Sequence, residues 1–359
     1  MNGISIGKWV ELGSASEEVL ISVVMPVFNQ EDRIDTVLTA LVHCMSLPFE
    51  LIIINDCSSD GSALAIESFL THLLAGPPKL LVRFLFVDNT EPKYETACDA
   101  LGFGLSTGKF LLEIQADMVL EQVGFDAKLL RALETYDDIL MVSGRGTEPL
   151  APIVDEYVRG PGAVRGSGRN HVMHLLQSLP VIGFPIHLGN RVRAARAGWT
   201  SSDTEHAPFE VLPNESDFNR QSGKAGRLGE LIDLPTKKDY RDTPAAWLGQ
   251  TVMRGPLLID RAKYEQLGGL NSAAFFLGYD DHDLAIRAWF ERGWRVGFVP
   301  VEFESRLEFG ATRQKTNFAR NLELYRNLKS ISRYRERTGL FKYRNEIGTG
   351  MPAAEIRLL

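Results

Sequence analysis

Residues 21 to 56 read ISVVMPVFNQEDRIDTVLTALVHCMSLPFELIIIND. Ile21-Ser-Val-Val-Met25 is a short β-branched run closed by Pro26, the pattern of a strand. From Asp32 to Cys44 the apolar residues Ile34, Val37, Leu38, Leu41 and Val42 recur at helical spacing. Phe49 to Ile54, apolar apart from Glu50 and broken by Asn55-Asp56, reads as a strand buried on both faces. Strand, helix and strand at this spacing make a βαβ unit.

The unit repeats downstream. The spacing predicts a helix over Gly61 to Leu74, a strand over Leu81 to Val87, a helix over Tyr94 to Leu105 and a strand over Phe110 to Ile114. A helix over Phe125 to Leu133 and a strand over Ile139 to Val142 follow. The fold class is therefore α/β, a mixed, mostly parallel sheet flanked by helices. Residues 144–241 are rich in Gly, Arg, Ser and Asn, and read as a long irregular insertion. Order returns with a strand at Pro256 to Ile259, a short helix at Arg261 to Leu267, a helix at Asp281 to Arg292 stopped by Gly293, and a strand at Arg295 to Val299.

Composition bounds what such a chain does. It has 359 residues, 44% hydrophobic and 24% charged, the balance of a globular enzyme with room for a large core. The formal net charge of −7 argues against a general nucleic-acid binder. The three cysteines, Cys44, Cys57 and Cys98, cannot all pair and form no C-x-x-C motif, which fits a reducing compartment without structural zinc. No signal peptide or transmembrane run is legible, so the expected location is cytoplasmic.

Ligands of parallel α/β sheets bind outside the carboxyl ends of the strands. Here those ends carry Pro26, Phe28, Asn29 and Glu31, then Asn55-Asp56-Cys-Ser-Ser-Asp60-Gly61-Ser62, then Asp88-Asn89, then Gln115-Ala116-Asp117. Capping and turn formation explain any one of these groups, but not four in succession. Neither a G-x-G-x-x-G after the first strand nor a P-loop is present, so no backbone cradle for phosphate is visible. Carboxylates at such a rim suit a nucleotide whose diphosphate is reached through a hard divalent cation. A second acidic cluster, Asp280-Asp281-His282-Asp283, opens the helix that runs to Arg292. It reads either as dipole-stabilising capping or as paired carboxylates, one of them a general base for a hydroxyl.

Val24-Met-Pro-Val-Phe-Asn29-Gln-Glu31, Asn55-Asp56-Cys-Ser-Ser-Asp60-Gly61-Ser62, Gln115-Ala-Asp117 and Asp280-Asp281-His-Asp283-Leu-Ala-Ile-Arg287 together resemble family 2 glycosyltransferases of the GT-A fold. The likeness covers roughly residues 20 to 145 and 250 to 320. It implies an inverting enzyme that moves a sugar from a UDP- or GDP-linked donor to a hydroxyl of a glycan, lipid-linked or protein acceptor. Pro26, Phe28, Glu31, Asp56 and Lys93 would then meet the nucleoside. Gln115 and Ala116 would meet the nucleotide-sugar. Asp117 would be the carboxylate for Mn²⁺ or Mg²⁺, and Asp281 the catalytic base. Asp280 stands where the family has Glu, and Trp247, Arg254, Asp280 and Arg313 are candidates for the acceptor or the diphosphate. The implied layout is an extension (1–20), a nucleotide-sugar half (20–145), an acceptor-shaping insertion (146–245), an acceptor-side half (246–317) and a helical basic tail (318–359).

The sequence also departs from the family. Gln115 replaces the first Asp of D-x-D, and Phe303 to Arg313 lacks the His found there in many members, leaving Arg306, Arg313 or Lys315 as sources of positive charge. From Glu304 to Arg344 there are eleven Lys or Arg against four Glu. This tail reads as a helix packed on the domain, as a peripheral contact with an anionic membrane, or as a site for a phosphorylated acceptor. Two other readings stay open. One is a catalytically silent nucleotide-sugar-binding protein. The other is a sugar nucleotidyltransferase, although Pro26-Val-Phe-Asn29 is not the Gly-rich basic loop that such an enzyme needs.

Overall fold

The structure is a computed structural model, and it describes residues 4–11, 18–76, 80–148, 150, 244–275, 277–305, 337–347, 350–353 and 355–359. The first half follows the expected alternation: β1 (Ile4–Glu11), β2 (Ile21–Val27), α1 (Ile34–Cys44), β3 (Phe49–Asn55), α2 (Ser62–Ala75), β4 (Leu81–Asn89), α3 (Glu95–Leu105), β5 (Phe110–Glu113), β6 (Val119–Leu120), α4 (Phe125–Thr135), β7 (Ile139–Ser143) and β8 (Thr147–Glu148). The second half comprises β9 (Ala245–Gly249), β10 (Thr251–Val252), β11 (Leu257–Asp260), α5 (Arg261–Gln266), α6 (Asp280–Arg292), β12 (Arg295–Phe298), β13 (Phe303–Glu304), α7 (Gly339–Lys342) and β14 (Glu355–Leu358).

Ten strands form one sheet in the order β1-β4-β3-β2-β5-β11-β7-β12-β9-β14. The block β4-β3-β2-β5 is parallel, as is the β7–β12 pair. β1, β11 and β9 run against the rest. Helices cover both faces. On β3, Leu51 and Ile53 pack with α1, α2 and α4, while Ile52 and Ile54 pack with α3, α5 and α6. Between Phe49 and Ile54 the strand is apolar except for Glu50, whose buried carboxylate pairs with Arg83 and accepts from Ser22 and Thr107, and this is what two covered faces require. Pro26 lies inside β2 rather than ending it. The pairing of β2 with β5 stops at Val24, so at Pro26 the ladder has a partner on one side only and tolerates the missing N–H.

The expected N-terminal extension contributes β1, an edge strand antiparallel to β4. The insertion lies outside the described residues except at 144–148, 150 and 244–245; of the expected helical tail (318–359) the described residues are 337–347, 350–353 and 355–359, which form the short α7 and the edge strand β14. No helix among the described residues is long and apolar enough to cross a membrane.

Candidate active site at the carboxyl edge of the sheet

β2, β3, β4 and β5 are parallel, so the loops that follow them gather at one rim. Two of these loops bond directly to each other. The backbone N–H groups of Asn29, Gln30 and Glu31 donate to Ser58 Oγ (3.0 Å), Ser62 Oγ (2.7 Å) and Asp60 Oδ2 (3.1 Å). In return the N–H groups of Ser59 and Gly61 donate to Asn29 Oδ1 and Glu31 Oε2, both at 2.8 Å. A Cβ on Gly61 would sit 2.5 Å from that Glu31 carboxylate, so a larger residue there would push the exposed Glu31 side chain out of this bond. Among the described residues, the non-glycine residues with left-handed φ are Asn29, Cys57, Tyr94 and Tyr279, all on loops at this rim. Such backbone is held only where its surroundings over-determine it, and it concentrates at functional sites.

Asp56, just past β3, is 4% exposed. Its carboxylate accepts from Lys93 N–H (2.7 Å), Tyr94 N–H (2.8 Å) and Asn89 Nδ2 (3.1 Å). The residue expected to meet a base edge thus first fixes the loop from β4 to α3. Lys93 takes part through its backbone N–H, with its side chain half-buried. Pro26 and Phe28 are half-buried and Glu31 is exposed on the neighbouring loop.

The acidic cluster at the start of α6 divides its labour. Asp283 accepts from Gly339 N–H and pairs with Arg287 at 2.9 Å, and Arg287 also donates to Leu267 O (2.6 Å) and Gly269 O (2.8 Å). These two residues hold the helix to its surroundings. Asp280 has no exposed surface and pairs with Arg254 Nη2. Asp281 is left. Among the described residues its carboxylate is engaged by its own neighbour, accepting from His282 N–H at 2.8 Å, with His282 Nδ1 at 3.7 Å. His282 Nδ1 is itself 2.7 Å from Thr251 Oγ1 on β10. Three acidic residues in the first turn favour the positive end of the helix dipole.

Arg254, on the loop into β11, sits among four carboxylates. Nη1 is 2.7 Å from Glu95 Oε1 and 3.5 Å from Glu113 Oε1, while Nη2 is 3.1 Å from Asp99 Oδ2 and also meets Asp280. β11 pairs with β5 in a register that sets Leu257 beside Glu113, which brings the loop to this place. Burial raises the carboxyls of Asp99, Glu113 and Asp280 against the opposing pull of Arg254, Glu113 to about 8 and Asp280 to about 6. Burial alone would lower Arg254, but Asp280, Glu113, Glu95 and Asp99 together raise it well above its ordinary value. Glu95, Asp99 and Glu113 were not expected from the sequence. The one signal was a charged residue inside the apolar run Phe110 to Ile114.

Burial corrects two expectations. Trp247 has no exposed surface and packs on Phe298 with ring centroids 5.8 Å apart, so the core rather than an acceptor sugar receives it. Arg254 and Asp280 neutralise each other in the interior, so neither stands open to a diphosphate or an acceptor. Gln115 donates from Nε2 to Glu95 Oε1 at 3.1 Å, a bond an aspartate could not make. Ala116 is buried, and Arg306, Arg313 and Lys315 lie outside the described residues.

Asp117 is half-buried in the turn closed by Met118 N–H donating to Gln115 O at 3.1 Å. The pairing of β6 with β13 brings the strand ending at Glu304 alongside this turn. Among the described residues no three His, Cys, Asp or Glu side chains converge to hold a metal. A single carboxylate fits a cation that takes most of its ligands from phosphate and water, which is how Mg²⁺ and Mn²⁺ are usually held beside nucleotides.

Residues 22–152 match the family model described as glycosyl transferase family 2. No curated protein matches the chain. Among solved structures, the chain is similar to the mannosyltransferase PcManGT from Pyrobaculum calidifontis in complex with GDP-Man and Mn²⁺. The identity there is 14% and the TM-score 0.46, over 82% of this chain and 58% of that one. It is also similar to S. aureus TarS 1-349 in complex with UDP-GlcNAc, at 13% identity and a TM-score of 0.41, over 79% of this chain and 57% of that one. The chain thus spans less than three fifths of the length of either.

Proposed function

We propose that the chain, whose residues 22–152 match the family 2 glycosyltransferase model, is a GT-A glycosyltransferase that inverts the anomeric centre of a UDP- or GDP-linked sugar as it transfers that sugar to a hydroxyl of a glycan or glycoconjugate. The observation that carries this reading is one chain of bonds. Asp280, next to Asp281, pairs with Arg254; Arg254 pairs with Glu95; Glu95 accepts from Gln115, two residues before Asp117. The two carboxylates with separate chemical tasks thereby belong to one bonded unit at the carboxyl edge.

In the proposed reaction the nucleoside lies along the joined loops of Pro26, Phe28, Glu31 and the Asp56-anchored Lys93. Asp281 takes the proton of the acceptor hydroxyl as its oxygen attacks the anomeric carbon, and the bond to the diphosphate breaks on the opposite side. Asp281 suits the base because Asp280 and Asp283 are committed to Arg254 and Arg287. Asp117 would hold Mn²⁺ or Mg²⁺, which when bound supplies Lewis-acid stabilisation of the leaving diphosphate.

The test is release of nucleoside diphosphate from a panel of UDP- and GDP-sugars with Mn²⁺ present, for the parent, Asp281→Asn and Asp117→Ala. Turnover of one donor, lost in both variants, is expected. Calorimetry then separates the alternatives: donor binding without turnover in the parent points to a silent binding protein, and no binding of any donor sinks the reading. Further donors and acceptors follow from whichever sugar is turned over.

A further inference from the structure

Arg254 makes more ionic contacts than a buried cation needs for its own stability. Arg287 shows the sufficient case: one carboxylate, Asp283, and two backbone carbonyls complete it. Arg254 instead has four carboxylates, contributed by α3, β5 and the first turn of α6. Two of the contacts lead directly to the reacting centre proposed above. Asp280 is the covalent neighbour of Asp281. Glu95 Oε1 is shared between Arg254 Nη1 at 2.7 Å and Gln115 Nε2 at 3.1 Å, and Gln115 begins the turn that carries Asp117.

We infer that Arg254 is a positioning residue: bonded to Asp280 and to Glu95, it fixes the distance between the base Asp281 and the Asp117 turn, and so aligns the acceptor hydroxyl with the anomeric carbon. This rests on the roles proposed for Asp281 and Asp117. The planar fork is the functional element. Nη1 serves the donor side and Nη2 the base side, and no single ammonium reaches both with that geometry. The side chain is 10% exposed, so the link works through fixed bonds rather than contact with substrate. A displacement of about 1 Å between reacting groups can lower a rate about a hundredfold.

The test measures nucleoside diphosphate release, with water as acceptor, from the donor that the parent turns over. Arg254→Ala, Arg254→Lys, Asp280→Asn and the Lys/Asn double variant are compared. The expected kcat falls by about a hundredfold in Arg254→Lys, while the donor KM stays within about threefold. Arg254→Ala should fall further, so that Lys gives partial rescue. Asp280→Asn should lose a similar factor, and the double variant should be no worse than either single one, because both break the same link. Should the position 254 variants lack a cooperative thermal transition, Asp280→Asn decides alone. A loss that falls wholly on KM, or a kcat within about threefold of the parent in every folded variant, overturns the positioning role. A parent that turns over no donor fails at the earlier step and overturns the proposed function together with this one.

Discussion

Asp56 and Asp280 stand at the same edge of one sheet, both nearly free of solvent contact, and the chain satisfies them in opposite ways. Asp56 accepts from two backbone N–H groups and one side-chain amide, all neutral, within the β4–α3 loop and its approach. Asp280 pairs with a guanidinium from a distant loop that it shares with three other acids. Neutral donors distribute a carboxylate's charge over many dipoles, and removing one leaves the others in place. A shared cation makes every member of the group depend on a single side chain. The rim around β3 and β4 is therefore built from small local increments, whereas its junction with the second half hangs on Arg254.

The largest effect comes from removing that cation. Arg254→Ala strands three buried acids, Asp99, Glu113 and Asp280, beside the half-buried Glu95, and losing one partner of a buried ionic group costs about 3–5 kcal/mol. Chemical denaturation should show that loss as a lower midpoint; a change within error would mean that water enters and replaces the guanidinium. Asp56→Asn should cost less, about 1–3 kcal/mol, because an amide NH₂ now meets backbone N–H groups and leaves one of them unpaired. Hydrogen exchange should locate that damage at residues 89–94. Protection lost equally across the sheet would instead show that the two halves are not separable in the way their bonding indicates.

The contrast also explains which parts of the molecule were legible in the sequence. The strands and helices that build the rim announce themselves because a central strand is apolar at nearly every position and its helices bury one stripe. Phe49 to Ile54 and Ile34 to Leu41 are of this kind. β6, β8, β10 and β13 have two residues each, too few for any periodicity. β14 is a half-exposed edge whose position comes from β9. At the site, motif residues could be seen because they lie close together in sequence. The Arg254 group could not, because its members are spread from position 95 to position 280 and only folding brings them together. Trp247 shows the reverse error: an aromatic next to a motif invites a ligand, yet a strand interior is the more common place for its bulk.

Gln115 gives a sharper, smaller test of the same boundary. Its amide donates to Glu95, so restoring an acid there with Gln115→Asp turns a hydrogen bond into a repulsion beside a group already rich in carboxylates. Single replacement should weaken Mn²⁺-dependent donor binding in calorimetry rather than strengthen it, and lower stability by about 1 kcal/mol. Gln115→Asp combined with Glu95→Gln exchanges donor and acceptor and should recover most of the stability. If the single change alone tightens metal-dependent binding, Glu95 is not the reason glutamine occupies position 115.

The smallest effect is a slope rather than a loss. Burial pushes Glu113 up to about 8, so between its ordinary range and that value the folded chain retains a proton that the unfolded chain has released. Stability from this group is therefore full below about pH 4.5 and declines as the pH rises toward 8 and through it. Glu113→Gln keeps the shape and cannot ionise, and Arg254 retains three other acids. The variant's melting temperature, compared with the parent's at each pH, should rise steadily in its favour from pH 5 to pH 8.5, by roughly a few degrees in all, and level off above. A gap that does not change with pH would move the proton to another member of the group, for Asp280 and Asp99 share the same guanidinium and titrate with it. In that case Asp99→Asn should carry the slope instead, and the junction would hold its extra proton on α3 rather than on the central strand.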